Sequence, residues 1–260
     1  MFKEIYSRLK QGYHTNKFPK KIPSLPEKFI GLPKIYNQSC ESNCNTCIQI
    51  CPVNCIANRG NRVSLDLGKC IFCGECATKC PNKIIEFSKD YRLSTDSRNE
   101  LICENEQIKL AEKMSKKIHK LLGRSLKLRQ VSAGGCGACE ADINVLNTIS
   151  WDLGRFGVQI VASPRHADGI IVTGPVPRNM KIALDKTYAA IAHPKIIIAV
   201  GACAISGGIF RDGPEACNGL ESLMKVDLFI PGCPPHPLTI LDGILRLLGK
   251  IATFKVEVQL

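Results

Sequence analysis

From residue 125 onward, short apolar runs alternate with longer segments of helical spacing. SLKLRQVS (125–132), VQIVAS (158–163), DGIIVTG (168–174), KIIIAVG (195–201) and VDLFIPG (226–232) read as strands. Between them, 140–153 puts Ile143, Leu146, Ile149 and Leu153 on one helical face, and 178–192 and 237–248 read as two further helices. Strands that are apolar along their whole length are buried on both faces, and strands alternating with helices build a parallel sheet. The pattern predicts an α/β unit over 125–260, a flavodoxin-like doubly wound parallel sheet.

The first half of the chain is patterned differently. Phe2, Ile5, Tyr6 and Leu9 share a helical face, with Lys3, Arg8 and Lys10 on the other positions. Such a basic amphipathic helix is either an exposed tail with a solvated face or an element that docks on a membrane-bound partner. KFPKKIPSLPEKFIGLPK (17–34) is Pro-rich and predicts extended chain laid over the next unit. IANRGNRVSLDL (56–67) alternates around an Asn-Arg-Gly-Asn turn, a β-hairpin pattern. ENEQIKLAEKMSKKIHKLLG (104–123) places Ile108, Ala111, Met114, Ile118 and Leu122 on one face and stops at Gly123, which predicts a linking helix. The organisation expected is therefore an arm (1–39), a first unit (40–103), a linker helix (104–124) and the sheet unit (125–260).

Charge and cysteine content change what these units are for. The formal net charge is +12, and half of it lies in the first 39 residues, where eight Lys/Arg face two Glu. No aromatic interleaving and no nucleic-acid motif accompanies this arm, so nucleic acid is not the expected partner. The opening MFKEIYSRLK has neither the apolar core of a signal peptide nor a twin-arginine pattern. IIIAVGACAI, ten residues long, falls short of the roughly 18 needed for a membrane span. The expectation is a reducing compartment, where thiols stay free. Of the 15 cysteines, ten fall between Cys40 and Cys103 and five between Cys136 and Cys233. Reduced, clustered thiols bind metal.

CIFCGECATKCP is Cys70-x2-Cys73-x2-Cys76-x3-Cys80-Pro81, the run of a bacterial ferredoxin that binds [4Fe–4S]. The same register recurs 29 residues earlier, where Cys44, Cys47, Cys51 and Pro52 match Cys73, Cys76, Cys80 and Pro81. Two such halves exchange their fourth ligands. One cluster is then expected on Cys40, Cys44, Cys47 and Cys80, the other on Cys70, Cys73, Cys76 and Cys51. Three residues rather than two separate Cys40 from Cys44, so that loop should bulge. Four-thiolate zinc is the rival, but its paired cysteines are set farther apart than these runs allow. The first unit is thus predicted to be a two-cluster bacterial ferredoxin-like α+β domain. Cys55 and Cys103 are left over as ordinary buried cysteines.

On the predicted sheet, Cys136 and Cys139 follow the first strand, Cys203 follows KIIIAVG and Cys233 follows VDLFIPG. All four fall beyond carboxyl ends of strands, the edge where open α/β sheets bind ligands. The glycines around them admit close backbone approach. The four make a third [4Fe–4S] site; Cys217 has no such setting and reads as structural.

SAGGCGACEAD (132–142), FGVQIVASPRHADGIIVTGPV (156–176), KIIIAVGACAISGG (195–208) and IPGCPPHP (230–237) resemble the small electron-transfer subunit of membrane-bound [NiFe] hydrogenases of the formate hydrogenlyase type. They also resemble its homologue, the 20 kDa subunit of complex I. Residues 1–103, GKCIFCGECATKCP (68–81) above all, resemble the ferredoxin subunit of those hydrogenases, so the chain looks like a fusion of two subunits. The resemblance implies an oxidoreductase subunit that relays electrons through three [4Fe–4S] clusters. It implies a catalytic large subunit facing Cys136, Cys139, Cys203 and Cys233, together with membrane-arm subunits, an upstream electron donor and a peripheral place on the cytoplasmic face of the inner membrane. Two residues between Cys136 and Cys139, where the complex I subunit has adjacent cysteines, and PPHP favour the hydrogenase side over a quinone reductase. Glu140 and Asp142 stand where relatives carry acids near the cofactor interface, and SPRHAD sets Arg165 and His166 beside the same surface. Interface packing or solvated charge is the competing role for all four.

Overall fold

The computed structural model describes residues 2–36, 44–59, 62–104, 108–111 and 125–251. The first half contains α1 (Phe2–Gln11), β1 (Pro33–Ile35), α2 (Thr46–Ile50), β2 (Ile56–Arg59), β3 (Arg62–Asp66), α3 (Glu75–Lys79), β4 (Ile85–Phe87) and β5 (Ile102–Cys103). Along α1 the apolar residues are exposed, Phe2 by 87% and Leu9 by 77%. The arm beyond it is irregular rather than simply extended, with turns at 18–20 and 27–28, and it touches both halves of the molecule. Phe18 is buried edge-on to Tyr91, with ring centres 6.1 Å apart, and Arg155 donates to the carbonyls of Asn16 and Phe18. Its end is not coil: β1 pairs antiparallel with β4, so the arm supplies a strand to the cysteine-rich unit.

The repeat seen in the cysteines is also a repeat of structure. Helices α2 and α3 each run five residues and stop at Cys51 and Cys80, whose backbones are extended. Each of these cysteines precedes a proline, which disfavours the helical conformation before it. The hairpin forms with Arg59 opposite Arg62; residues 60–61 lie outside the described set. Strand β5 adds Cys103 opposite Leu65 on the outer side of β3, and Cys103 is fully buried there. Most of the linker helix expected over 104–124 lies outside the described residues. Of those described, 108–111 are not helical, and the Ala111 N–H donates to the Ser94 carbonyl instead.

The second half contains β6 (Leu126–Ser132), α4 (Ala138–Val145), β7 (Val158–Ile160), β8 (Gly169–Thr173), α5 (Arg178–Ala189), β9 (Ile196–Val200), α6 (Ala202–Ser206), β10 (Leu228–Ile230) and α7 (Pro237–Leu247). Five parallel strands lie in the order β7-β6-β8-β9-β10. Counted within this unit the order is 2-1-3-4-5, the flavodoxin-like order. Successive side chains point to opposite faces. Ile170 and Val172 enter one core with Leu184 of α5 and Ile205 of α6, while Ile171 enters the other with Ile143 of α4 and Ile240 and Ile244 of α7. The first core runs on into the cysteine-rich unit through Leu65, Leu67 and Cys70, so the two halves share apolar interior.

Two expectations on this sheet need correction. Helix α4 ends at Val145 rather than 153, so Ile149 is 72% exposed instead of inward. Leu146 and Leu153 are still buried, because the chain loops back and the Leu153 N–H donates to the Leu146 carbonyl. Strand β7 covers only Val158–Ile160. It pairs with β6 at Leu126–Leu128, then the chain crosses β6 to begin β8 opposite that same Leu128.

Every residue of α7 is buried, including Asp242 and Arg246. These two sit one turn apart and satisfy each other, Arg246 Nε donating to Asp242 Oδ2 at 2.7 Å. The segment before β5 binds the halves together at the backbone. Thr95 and Phe229 exchange both hydrogen bonds, which covers the outer edge of β10.

Candidate metal centres

Cys44, Cys47 and Cys80 line one small cavity of the first unit, with Val63, Ile84 and Ile85 as its apolar wall. Cys40, the fourth member expected there, lies outside the described residues. Cys51, Cys70, Cys73 and Cys76 line a second cavity, walled by Val53, Ile56 and Phe87. The fold therefore brings each Cys-Pro cysteine together with the thiols of the opposite run. Backbone N–H groups are already aimed at sulfur, as metal-bound thiolates require: Phe72 to Cys70 and Cys55 to Cys51, both at 3.3 Å, and Ile84 to Cys80 at 3.4 Å.

The loop that presents Cys70 is held from both halves. Asp66 accepts from Gly68 N–H at 2.9 Å and takes a two-pronged contact from Arg98 at 2.8 and 2.6 Å. Arg98 also reaches Glu221 of the second half at 3.3 Å. Ser206, at the end of α6, donates to the Gly68 carbonyl at 2.8 Å. A Cβ on Gly68 would lie 2.9 Å from both Arg98 and Ile205, so glycine permits this approach.

Cys55 is where the sequence reading fell short. It is buried, but it is not remote from the sites: its Sγ lies 3.3 Å from the Cys51 Sγ, and it lines the second cavity. That hydrogen bond lowers the Cys51 thiol to about 5, whereas contacts with Cys51 and Cys70, with burial added, push Cys55 strongly upward. The signal was present in the repeat, because Cys55 stands four residues after Cys51 as Ile84 stands four after Cys80. Burial pushes Cys76 up to about 12.

On the second unit, Cys136, Cys139, Cys203 and Cys233 gather beyond the carboxyl ends of β6, β9 and β10. Burial, then the neighbouring Glu140, Cys203, Cys233 and Cys136, pushes Cys139 up to about 12. Cys203 is pushed up to about 11 by burial and then by Cys233 and Cys136. Burial and then neighbouring sulfurs also push Cys233 up, so Cys139, Cys203 and Cys233 need a cationic group beside them to become thiolates together, which is what iron supplies. The backbone is shaped for them. A Cβ on Gly201 would lie 2.7 Å from the Cys139 sulfur, and one on Gly208 would lie 2.7 Å from the Cys203 sulfur. The donor set and this cradle fit a [4Fe–4S] group. Cys217 stands apart, its N–H donating to the Val176 carbonyl.

The four candidate interface residues separate. Glu140 accepts from Ser132 and Thr173 at 2.6 Å each. Burial pushes its carboxyl up, but these hydrogen bonds outweigh it and hold the group below the usual range. Asp142 lines a cleft between the halves with Phe29, Ile71, Phe72, Cys233 and His236, and burial pushes its carboxyl up. His236 caps α7, its Nδ1 accepting from Leu238 N–H, and packs edge-on against Phe29 and Trp151. Arg165 and His166 are exposed on a short turn that lies beside Lys127 and Leu128 of β6. The cysteine edge begins after Ser132, about 13 Å further along the strand from Leu128.

A doubly wound sheet fused to a thiol-lined repeat defines an iron–sulfur protein of the α/β class. Residues 63–86 match the 4Fe-4S binding domain, and residues 136–247 match the family described as NADH ubiquinone oxidoreductase, 20 Kd subunit. The chain is 40% identical over 148 residues to the "Probable membrane-bound hydrogenase subunit" of Pyrococcus furiosus, spanning 57% of this chain and 89% of that protein. It is 40% identical over 138 residues to formate hydrogenlyase subunit 7 of Escherichia coli, 53% of this chain and 54% of that one. Against one of the NADH-quinone oxidoreductase subunits of Phocaeicola vulgatus it is 40% identical over 114 residues, 44% and 58% of the two chains. Among solved structures it is similar to a chain of the membrane-bound sulfane sulfur reductase, an archaeal respiratory membrane complex, at 32% identity and a TM-score of 0.46 over 52% of this chain and 75% of that one. The chain belongs to the complex I 20 kDa subunit family and carries a 4Fe-4S binding domain ahead of that fold.

Proposed function

We propose that this chain holds three [4Fe–4S] clusters in line and relays single electrons between a donor module and a catalytic large subunit of a [NiFe] hydrogenase of the formate hydrogenlyase type. Cys40, Cys44, Cys47 and Cys80 would hold the outermost cluster, Cys51, Cys70, Cys73 and Cys76 the middle one, and Cys136, Cys139, Cys203 and Cys233 the third. The observation that carries the reading is the junction. Ile71 and Phe72, inside the Cys70 run, share a cleft with Cys233, and Cys70 lies close enough to Cys233 to raise its thiol, after burial and Cys136. This supports a middle and a third site that adjoin across the two halves.

A bound cluster supplies one-electron chemistry over a wide range of potential. The chain's own residues position and insulate it. Val63 and Ile84 wall the first site and Val53, Ile56 and Phe87 the second against water, and Gly201 and Gly208 let the backbone close on the third. The N–H donors to Cys51, Cys70 and Cys80 set how much negative charge each site accepts. Among the described residues no helix is long and apolar enough to cross a membrane. Attachment to membrane-arm subunits on the cytoplasmic face is part of the proposal and draws on the relatives' membrane-bound character.

The test is reconstitution with the large subunit and hydrogen-dependent dye reduction. Transfer should need both chains, should be lost in Cys203→Ser and should survive in Cys217→Ser. Turnover by this chain alone, or wild-type transfer by Cys203→Ser, would overturn the reading. The family match favours one other assembly, a complex I-like quinone reductase. A nickel-free complex that reduces quinone would establish that one instead.

A further inference from the structure

The two halves of the cysteine-rich unit are near copies, which gives an internal control. Each half directs one backbone N–H at the sulfur of its Cys-Pro cysteine, from Cys55 at 3.3 Å and from Ile84 at 3.4 Å. The donors match, but the side chains that follow do not. Ile84 offers only methyl groups to its cavity, while Cys55 sets a thiol 3.3 Å from the Cys51 Sγ. Once Cys51 is a metal-bound thiolate it can only accept. Of this 3.3 Å pair only the Cys55 thiol then has a hydrogen to give, and it is buried, 6% exposed, with no water to compete for it.

We infer that Cys55 is a positioning residue that raises the reduction potential of the middle cluster above that of its twin, by donating S–H to the ligand sulfur of Cys51. Reduction adds negative charge to a cluster, and a hydrogen bond to its sulfur stabilises the more negative state. The outer site has Ile84 in the same place and gains nothing. Of two similar clusters, the one next to the Cys233 junction becomes the better electron acceptor. This gives the first unit a direction, with electrons favoured on the side that faces the third site. Cys55 does this without being a ligand.

The inference rests on the cluster assignment above, and the experiment separates the two. The cluster-loaded full chain is titrated electrochemically, with the clusters followed by electron paramagnetic resonance and iron counted in parallel. Failure of the assignment shows in the wild type as missing iron. For the inference, Cys55→Ala and Cys55→Ile should keep full iron and lower one midpoint only. The expected change is about tenfold in the ratio of reduced to oxidised cluster, about 59 mV for a one-electron couple. Cys55→Ser keeps a donor and should stay close to wild type. Unmoved midpoints in Ala and Ile would overturn the inference, as would a Ser variant shifted as far as Ala. Loss of about four iron atoms in the Ala and Ile variants would overturn it too, by making Cys55 a ligand.

Discussion

Replacing Gly201 by alanine adds one methyl group at the most crowded point of the third site. Gly201 has φ +89° and ψ 155°, a conformation that is essentially glycine's alone, and it caps α6 just before Cys203. Alanine there costs about 1–3 kcal/mol in backbone strain. The new Cβ would also sit 2.7 Å from the Cys139 sulfur, so reaching an ordinary 3.4 Å contact moves that sulfur by about 0.7 Å. Overpacking of this kind adds about 1–3 kcal/mol. Gly137, between Cys136 and Cys139, isolates the strain: its φ is +87°, yet nothing lies within 4 Å of its absent Cβ. Iron content and reduced-state paramagnetic resonance should show Gly201→Ala losing the third cluster, from about 12 iron atoms to about 8, while Gly137→Ala is less stable but keeps all three. Equal iron in the two variants would refute the claim that this backbone is shaped around the Cys139 sulfur.

Arg98→Ala removes the clamp on the Cys70 loop and leaves the partly buried Asp66 with the Gly68 N–H and a Lys69 ammonium 3.8 Å away in place of its two-pronged partner. Urea unfolding should show a loss of about 2–3 kcal/mol, with the middle cluster shed first. Glu140 is held below its ordinary value, so its hydrogen bonds stabilise the fold above the unfolded carboxyl's pKa and fade as the pH falls through the folded one. The difference in urea midpoint between wild type and Glu140→Gln should accordingly be present at neutral pH and shrink in acid. Cys217→Ser and Cys103→Ser should leave the iron count unchanged, while Cys76→Ser should lower it by about four, as read by iron and acid-labile sulfide analysis.

The sheet was legible because β8, β9 and β10 are short apolar runs buried from end to end, a pattern that a covered parallel sheet demands and a half-solvated one does not. The cysteine repeat was legible because its spacing follows from the geometry of a cube. What stayed hidden depended on contacts between distant residues. Ile149 fits the helical period of 143–153, but the loop from Leu146 to Leu153 closes that stretch early and turns Ile149 outward. The strand Pro33–Ile35 exists only because Ile85–Phe87 offers it an open edge, and nothing local in a proline-rich segment announces that. Cys55 looked like a spare buried thiol because spacing rules count ligands and do not see what packs behind them. Arg165 and His166 sit on a turn anchored beside Lys127 and Leu128 of β6, a placement set by the crossover after β7 and not by local spacing.

The central claim is that twelve of the cysteines hold three clusters, and counting metal on the anaerobically purified full chain tests it most directly. The account predicts about 12 iron atoms with matching acid-labile sulfide and no stoichiometric zinc. About 8 iron atoms, with Cys203→Ser no different from wild type, would contradict the third site. Zinc in place of iron would contradict the first two.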